Sequence, residues 1–159
     1  MLLYILEVFW ALLATLAFSI IFQVTGKRLI LSTIAGGIGW IVLSVALHYF
    51  QYSSVTSFLF SAMSITIYAE IVAKKMNTTV TTTLIPGLIP LVPGSGIFFT
   101  MDNFVQGNYI KAVDLGRETL FVTAAITIGI VFITSLSQMI IRIVKYRTIL
   151  QKHRKKIKR

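Results

Sequence analysis

Long apolar runs, divided by short polar clusters, dominate the chain. The first extends from Met1 to about Val24 and is followed by Lys27 and Arg28. The second covers Leu29 to about Phe50. The third covers Ser54 to about Ala73 and is closed by Lys74 and Lys75. The fourth covers Val80 to about Met101 and the fifth Thr119 to about Ile141. Each approaches the roughly 20 apolar residues that a helix needs to cross a bilayer. The pattern predicts an all-α integral membrane protein with five transmembrane helices. Phe104 to Glu118, with Lys111, Asp114, Arg117 and Glu118, reads as a polar connection. No Lys or Arg precedes the first run, so it is expected to stay as a span and not to be cleaved as a signal peptide.

The fourth run is the irregular one. Pro86, Pro90 and Pro93, the three prolines of the chain, lie in it with Gly87, Gly94 and Gly96. A proline removes an N–H and clashes with the carbonyl four residues back, so a straight helix cannot continue through it. The residue before each proline is pushed toward extended geometry. Hydrocarbon supplies no hydrogen bonds, so broken backbone at membrane depth survives only when buried in protein or lining a wet cavity. A discontinuous helix of this kind points to a transporter site. The bland alternative is a proline-kinked structural helix. Three prolines interleaved with glycines favour a break, with non-helical backbone over Pro90 to Gly96 facing a polar cavity near mid-membrane.

Composition agrees with the pattern. The apolar fraction is 56% and charged residues are 13%, where a soluble domain carries about a quarter. The formal net charge of +10 would suggest nucleic acid in a soluble protein. Here the positive charges sit in alternate loops and at the C-terminus, which is a topology signal. With five crossings, Lys27/Arg28, Lys74/Lys75 and the basic tail share one side. That places the N-terminus outside and the C-terminus in the cytoplasm, in the cell membrane. The expected division is a transmembrane domain over 1–145 and a basic tail over 146–159. The tail suits anionic lipid headgroups, at about 1 kcal/mol per basic residue. No nucleic-acid partner is expected.

Candidate chemistry is sparse. There is no cysteine, and no HExxH, GxSxG or P-loop pattern, so neither metal, cofactor nor catalysis is expected. The chain does not read as an enzyme. A half-helix N-terminus needs no such group to hold a carboxylate. Gly94, Ser95 and Gly96 can open one, with Ser95 as a capping candidate, and Pro90 and Pro93 frame it. The hydroxyls of Thr83 and Ser95 are the side-chain candidates for a small-molecule substrate. Gly36, Gly37 and Gly39 read as a close-packing face in lipid or as a second opening beside the substrate. His48, near Tyr49 and Tyr52, reads as part of an interfacial aromatic belt. Glu70 stands four residues before Lys74, the favourable order for a helical ion pair. Glu7, two turns from the N-terminus, reads as a solvated interfacial carboxylate, with a proton carrier as the alternative. Asp102 ends the fourth run. Five spans is an odd number for a transporter of paired repeats and suggests a subunit, a half or an oligomer.

At Pro90-Leu91-Val92-Pro93-Gly94, followed by Phe98 and Phe99, the chain resembles the threonine/serine exporter family. The closer likeness is to the small membrane subunit of its split form. Phe18 to Val24 with Gly36-Gly37-Ile38-Gly39 is similar to the family's first two spans, Ala69 to Lys75 to the end of its third, and Gly107-Asn108 with Ala112 to its connection before the fifth. The chain departs from the family at Met76-Asn77, where a proline is expected, and at Phe98-Phe99, where a tyrosine is expected. The resemblance implies a proton-motive-force-linked exporter of small hydroxy amino acids that works with a larger membrane subunit. In some split members it implies export of dicarboxylates such as succinate. A non-transporting scaffold or assembly protein is the other reading.

The orientation is open to direct measurement. In Leu150→Cys, on a chain with no native cysteine, a membrane-impermeant thiol reagent applied outside intact cells should leave the residue unlabelled. Labelling from outside would reverse the assignment.

Overall fold

The computed structural model describes the backbone of residues 2–157 and the side chains of residues 4–143. The described residues form helices and turns, with no strand among them. Helix α1 is Leu2–Ile21, α2 is Lys27–Ser44 and continues through a π turn at Val45–Tyr49, and α3 is Ser54–Met76. Helix α4 is Thr81–Leu88, followed by a 3-10 turn at Ile89–Leu91. Helix α5 is Gly94–Val105 and α6 is Tyr109–Ile157. Four of these are long and apolar enough to cross a membrane: α1, α2 with its π turn, α3 and α6. The α4 segment and α5 together make a fifth, bent by 45°. The chain is an all-α, multi-pass membrane protein.

Helix ends follow local chemistry. The Ser53 hydroxyl accepts the Thr56 N–H at 3.4 Å and caps α3. Asn77 closes the same helix in the left-handed region, at φ 47°, which its short polar side chain tolerates. That accounts for an asparagine at this position. Gly107, at φ 80°, turns the chain between α5 and α6. The connection expected over Phe104 to Glu118 is therefore much shorter, because α6 already begins at Tyr109. Lys111, Asp114, Arg117 and Glu118 stand on its first turns, and Arg117 reaches Asp114 at 3.9 Å across an i,i+3 step. An apolar run marks the part of a helix that lipid can cover, not the whole helix. The side chains of the basic tail, 146–159, lie outside the described residues, as do Lys158 and Arg159 altogether.

Helix α2 is central. Helices α1, α3 and α4 pack on it, α6 lies along α3, and α5 lies along α6. Missing side chains make these contacts close. A Cβ at Gly36 would overlap the Thr15 hydroxyl of α1, one at Gly37 would stand 2.7 Å from Leu12, and one at Gly39 would overlap Ile65 of α3. Lipid gives helices no hydrophobic reason to associate, so close backbone approach and interhelical hydrogen bonds take over. Ser61 of α3 donates to the Gly39 carbonyl at 2.6 Å, and the hydroxyls of Ser19 and Ser32 pair at 2.8 Å. Ala35, Ala62, Ile65, Ala69, Leu84 and Leu91 form the core. Large apolar side chains such as Ile5, Trp10, Ile30 and Leu120 point outward. Glu70 and Lys74 do not pair directly. Ser137 of α6 stands between them, donating to the Glu70 carboxylate at 2.7 Å and accepting from Lys74 at 3.3 Å. The helical spacing that suggested an ion pair could not foresee a hydroxyl arriving from α6.

The packing predicts a contrast between two glycines. Gly39→Val should destabilise the bundle by about 1–3 kcal/mol through overpacking. Gly94→Ala, whose Cβ meets nothing within 4 Å, should stay within about 0.5 kcal/mol of the parent. Thermal unfolding in detergent measures both, and equal stabilities would contradict the close contact at Gly39.

Candidate functional site

The break between α4 and α5 is built one residue at a time. Pro86 lies inside α4 and is fully buried; its missing N–H leaves the Thr82 carbonyl without its helical partner. The Ile89 N–H turns back to the Pro86 carbonyl, tightening the helix into the 3-10 turn. Pro90 sits in the first positions of that turn, where a proline costs least. Leu91, fully buried, plugs into the core beside Gly39 and Ile65. Val92 then leaves helical geometry at ψ 125°, as a residue before proline does. Pro93, at φ −74° and ψ 58°, forms an inverse γ-turn, closed by the Gly94 N–H donating to the Val92 carbonyl at 2.7 Å. Helix resumes at Gly94.

Non-helical backbone was expected over Pro90 to Gly96. It is confined to Val92 and Pro93, because Pro90 is absorbed by the 3-10 turn and Gly94 to Gly96 re-enter a helix. The break is narrow, yet it does what a half-helix requires. The N–H groups of Ser95 and Gly96 find no acceptor among the described residues, and they carry the positive end of the α5 dipole. The Gly94 N–H, also expected to be free, is engaged in the γ-turn. Ser95 does not cap the helix. Pro93 holds the cap position, no side chain bonds there, and Ser95 is exposed two residues further in. Gly96 is the contact point with α6, where a Cβ would overlap the Thr119 hydroxyl.

Thr83 is placed apart from this group. It is 1% exposed on α4, and its hydroxyl has no partner among the described residues. Thr15 and Thr66, equally buried, each donate to the carbonyl four residues back at 2.7 Å. An unmatched buried hydroxyl costs about 1–3 kcal/mol. It lies about 12 Å below Leu91 at the helical rise, while Ser95 lies beyond the break. The structure gathers Pro90, Pro93, Gly94, Ser95 and Gly96, and leaves Thr83 two turns away. Gly36, Gly37 and Gly39 stand at the contacts of α2 with α1 and α3.

Two surface grooves lie elsewhere. One of about 770 Å³ runs between α1 and α2 and is lined by Tyr4, Phe9, Ile41, Val45 and His48 among others. One of about 440 Å³ lies where Lys111, Asp114 and Glu118 of α6 pass Val55. Neither is lined by the break. Val92, Gly94 and Ser95 open onto the outer surface of the chain instead. Among the described residues no group of His, Asp or Glu is arranged to hold a metal.

The model of one protein family, described as Threonine/Serine exporter, ThrE, matches residues 7–136. The chain belongs to the threonine/serine exporter family. The matched stretch runs from α1 through the apolar part of α6 and contains the entire break. No curated protein and no solved structure matches the chain significantly. Membership makes the chain an exporter-type transporter. Within this exporter, sequence reasoning missed Pro86 as a helix-interior residue and Leu91 as the plug of the break. It singled out the prolines around Leu91, but the plug is defined by Gly39 and Ile65, which lie on other helices.

Leu91 yields a measurable expectation. Leu91→Ala should cost about 2–4 kcal/mol as a cavity in the core. Val92→Ala, one residue on and 57% exposed, should cost under about 0.5 kcal/mol. Equal effects in a thermal or denaturant titration would remove Leu91 from its role.

Proposed function

We propose that this chain is a membrane subunit of a secondary exporter of small carboxylate-bearing metabolites, threonine and serine first. It works with a larger membrane partner, is driven by the proton-motive force, and sits in the cell membrane with its C-terminus in the cytoplasm. The observation that carries the reading is the broken span, whose Ser95 and Gly96 amides are unpaired at the start of α5. A carboxylate is the ligand those amides suit. Its charge replaces the missing acceptors without any catalytic group.

The outward opening of the break supports a partner. Val92 is 57% exposed and lies inside a segment of membrane character. Unpaired amides at that depth need protein or water over them, and this chain alone leaves them uncovered. A second subunit laid over α5 would complete the cavity that the sequence led us to expect. Another copy of this chain is the other possible cover. Thr83, with its unpartnered hydroxyl, fits a second station along the same route.

Efflux of threonine, serine and succinate, measured with the chain alone and with its larger partner, tests this directly. Threonine and serine flux should need the partner. Saturable flux from the chain alone in liposomes would refute the subunit reading, and succinate flux without threonine or serine would reassign the substrate. Gly94→Leu should abolish transport while the protein stays folded in the membrane. A Cβ there meets nothing within 4 Å in this chain, so a loss with the partner still bound reflects blocked approach to the amides. Unchanged transport would exclude the break as the site.

A further inference from the structure

Helices α1 and α2 run antiparallel. The hydroxyls of Ser19 and Ser32 pair at 2.8 Å, and the Trp40 indole N–H donates to the Glu7 carboxylate at 3.4 Å. Further along, the Tyr4 ring meets His48 edge-on at 4.9 Å. In their middle the two helices touch: a Cβ at Gly36 would overlap Thr15, and one at Gly37 would stand 2.7 Å from Leu12. Beyond Leu12 the groove of about 770 Å³ opens between them. On α1 it runs from Leu12 to Tyr4, about 12 Å at the helical rise. On α2 it runs from Ile41 to Tyr49. Both helices are membrane-length apolar segments, Tyr4–Ile21 and Lys27–Tyr49. Tyr4 begins one and Tyr49 ends the other, so the rim of the groove coincides with the ends of both segments.

Polarity along the groove is graded. The deep end is formed by Val8, Leu12 and Ile41 and has no polar side chain. The polar side chains are Tyr4, His48 and Tyr49 at the rim and Ser44 one turn below. A small carboxylate metabolite would find no donor at the deep end. An amphipathic molecule with its head at the rim matches both ends. A partner helix, about 10 Å across, would lie on this groove, whereas a single acyl chain can lie in it down to the Leu12–Gly37 contact.

His48 specifies the head. It lies in the π turn, a local widening that is common at functional sites. Its Nδ1 is 3.1 Å from the Ser44 carbonyl. A carbonyl only accepts, so Nδ1 carries the proton, and in the neutral ring Nε2 is left as an acceptor. Nε2 has no partner among the described residues, and it needs a donor. Lys27 and Arg28 stand at the other end of α2, so nothing on these two helices draws an anionic headgroup to this rim.

We propose that this groove holds one phosphatidylethanolamine molecule, its acyl chain directed toward Leu12 and its ammonium group donating to Nε2 of His48. In the bilayer the tail gains only packing, because its surroundings are apolar with or without the groove. The headgroup therefore decides which lipid stays. An ethanolamine ammonium carries N–H donors. A choline carries none and leaves Nε2 unpaired. Tyr49 adds a hydroxyl donor for the phosphate at the same rim. The site is independent of the transport reading and of the basic tail.

The test uses the full-length chain in nanodiscs of equal phosphatidylethanolamine and phosphatidylcholine. After extraction into detergent, native mass spectrometry counts the lipid that stays bound. The wild type should keep one phosphatidylethanolamine, in several-fold excess over phosphatidylcholine. His48→Phe, at an exposed position, should keep a lipid and lose the preference. Ile41→Trp should fill the deep end and lose the lipid. Ile30→Trp, 64% exposed on the same helix and outside the groove, should keep it. A wild type that retains no lipid, or retains the two equally, overturns the proposal. An undiminished preference in His48→Phe does the same, and it decides the matter even if Ile41→Trp does not fold. Wild-type retention by a folded Ile41→Trp puts the lipid elsewhere and also refutes the assignment. A lipid-free mass of two chains gives the groove to a second copy instead.

Discussion

Hydrocarbon offers nothing to an unpaired backbone group, and the arrangement of this chain follows from that constraint. Three prolines in one membrane-length segment would strand several carbonyls and amides. The fold limits the damage to two residues. Pro90 is taken into a 3-10 turn, Pro93 into a γ-turn with its own hydrogen bond, and Leu91 is pressed into the core between α2 and α3. What is left over near the break is small and located: the amides of Ser95 and Gly96 at the start of α5.

The same economy governs the rest of the bundle. Its core is made largely of alanine, glycine and serine, because in lipid the gain comes from bringing backbones together and not from hiding large side chains. Gly36, Gly37 and Gly39 let α2 approach α1 and α3, and Ser61 ties α3 to the carbonyl exposed by Gly39. The bulky residues are left on the outside of the bundle.

Much of the fold was legible from the apolar runs, because crossing a bilayer sets a minimum length that few other structures meet. The break was legible too, since proline acts on its own neighbours whatever the tertiary context. The exporter family was legible from the motif around Pro90 to Gly94 together with the spans on either side. The first turns of α6 were not, because apolar length says where lipid ends and not where a helix ends. The precise width of the break and the engagement of the Gly94 amide depend on torsions that composition does not specify. Leu91 as plug, Ser137 between Glu70 and Lys74, and Trp40 on Glu7 are meetings of distant segments, and spacing along one helix cannot reveal them. Thr83 and Ser95 lie apart because the helical rise separates them by more than two turns.

The γ-turn at Pro93 has a mechanical consequence. On one side of it, α4 is clasped by α2 and α3; on the other, α5 leans on α6. The proline ring immobilises one torsion of the connection, so reorientation of α5 against α4 falls chiefly to the ψ angles of Val92 and Pro93. A joint with so few degrees of freedom swings in a restricted plane. The 45° angle between the two halves of the span is therefore set at these two residues.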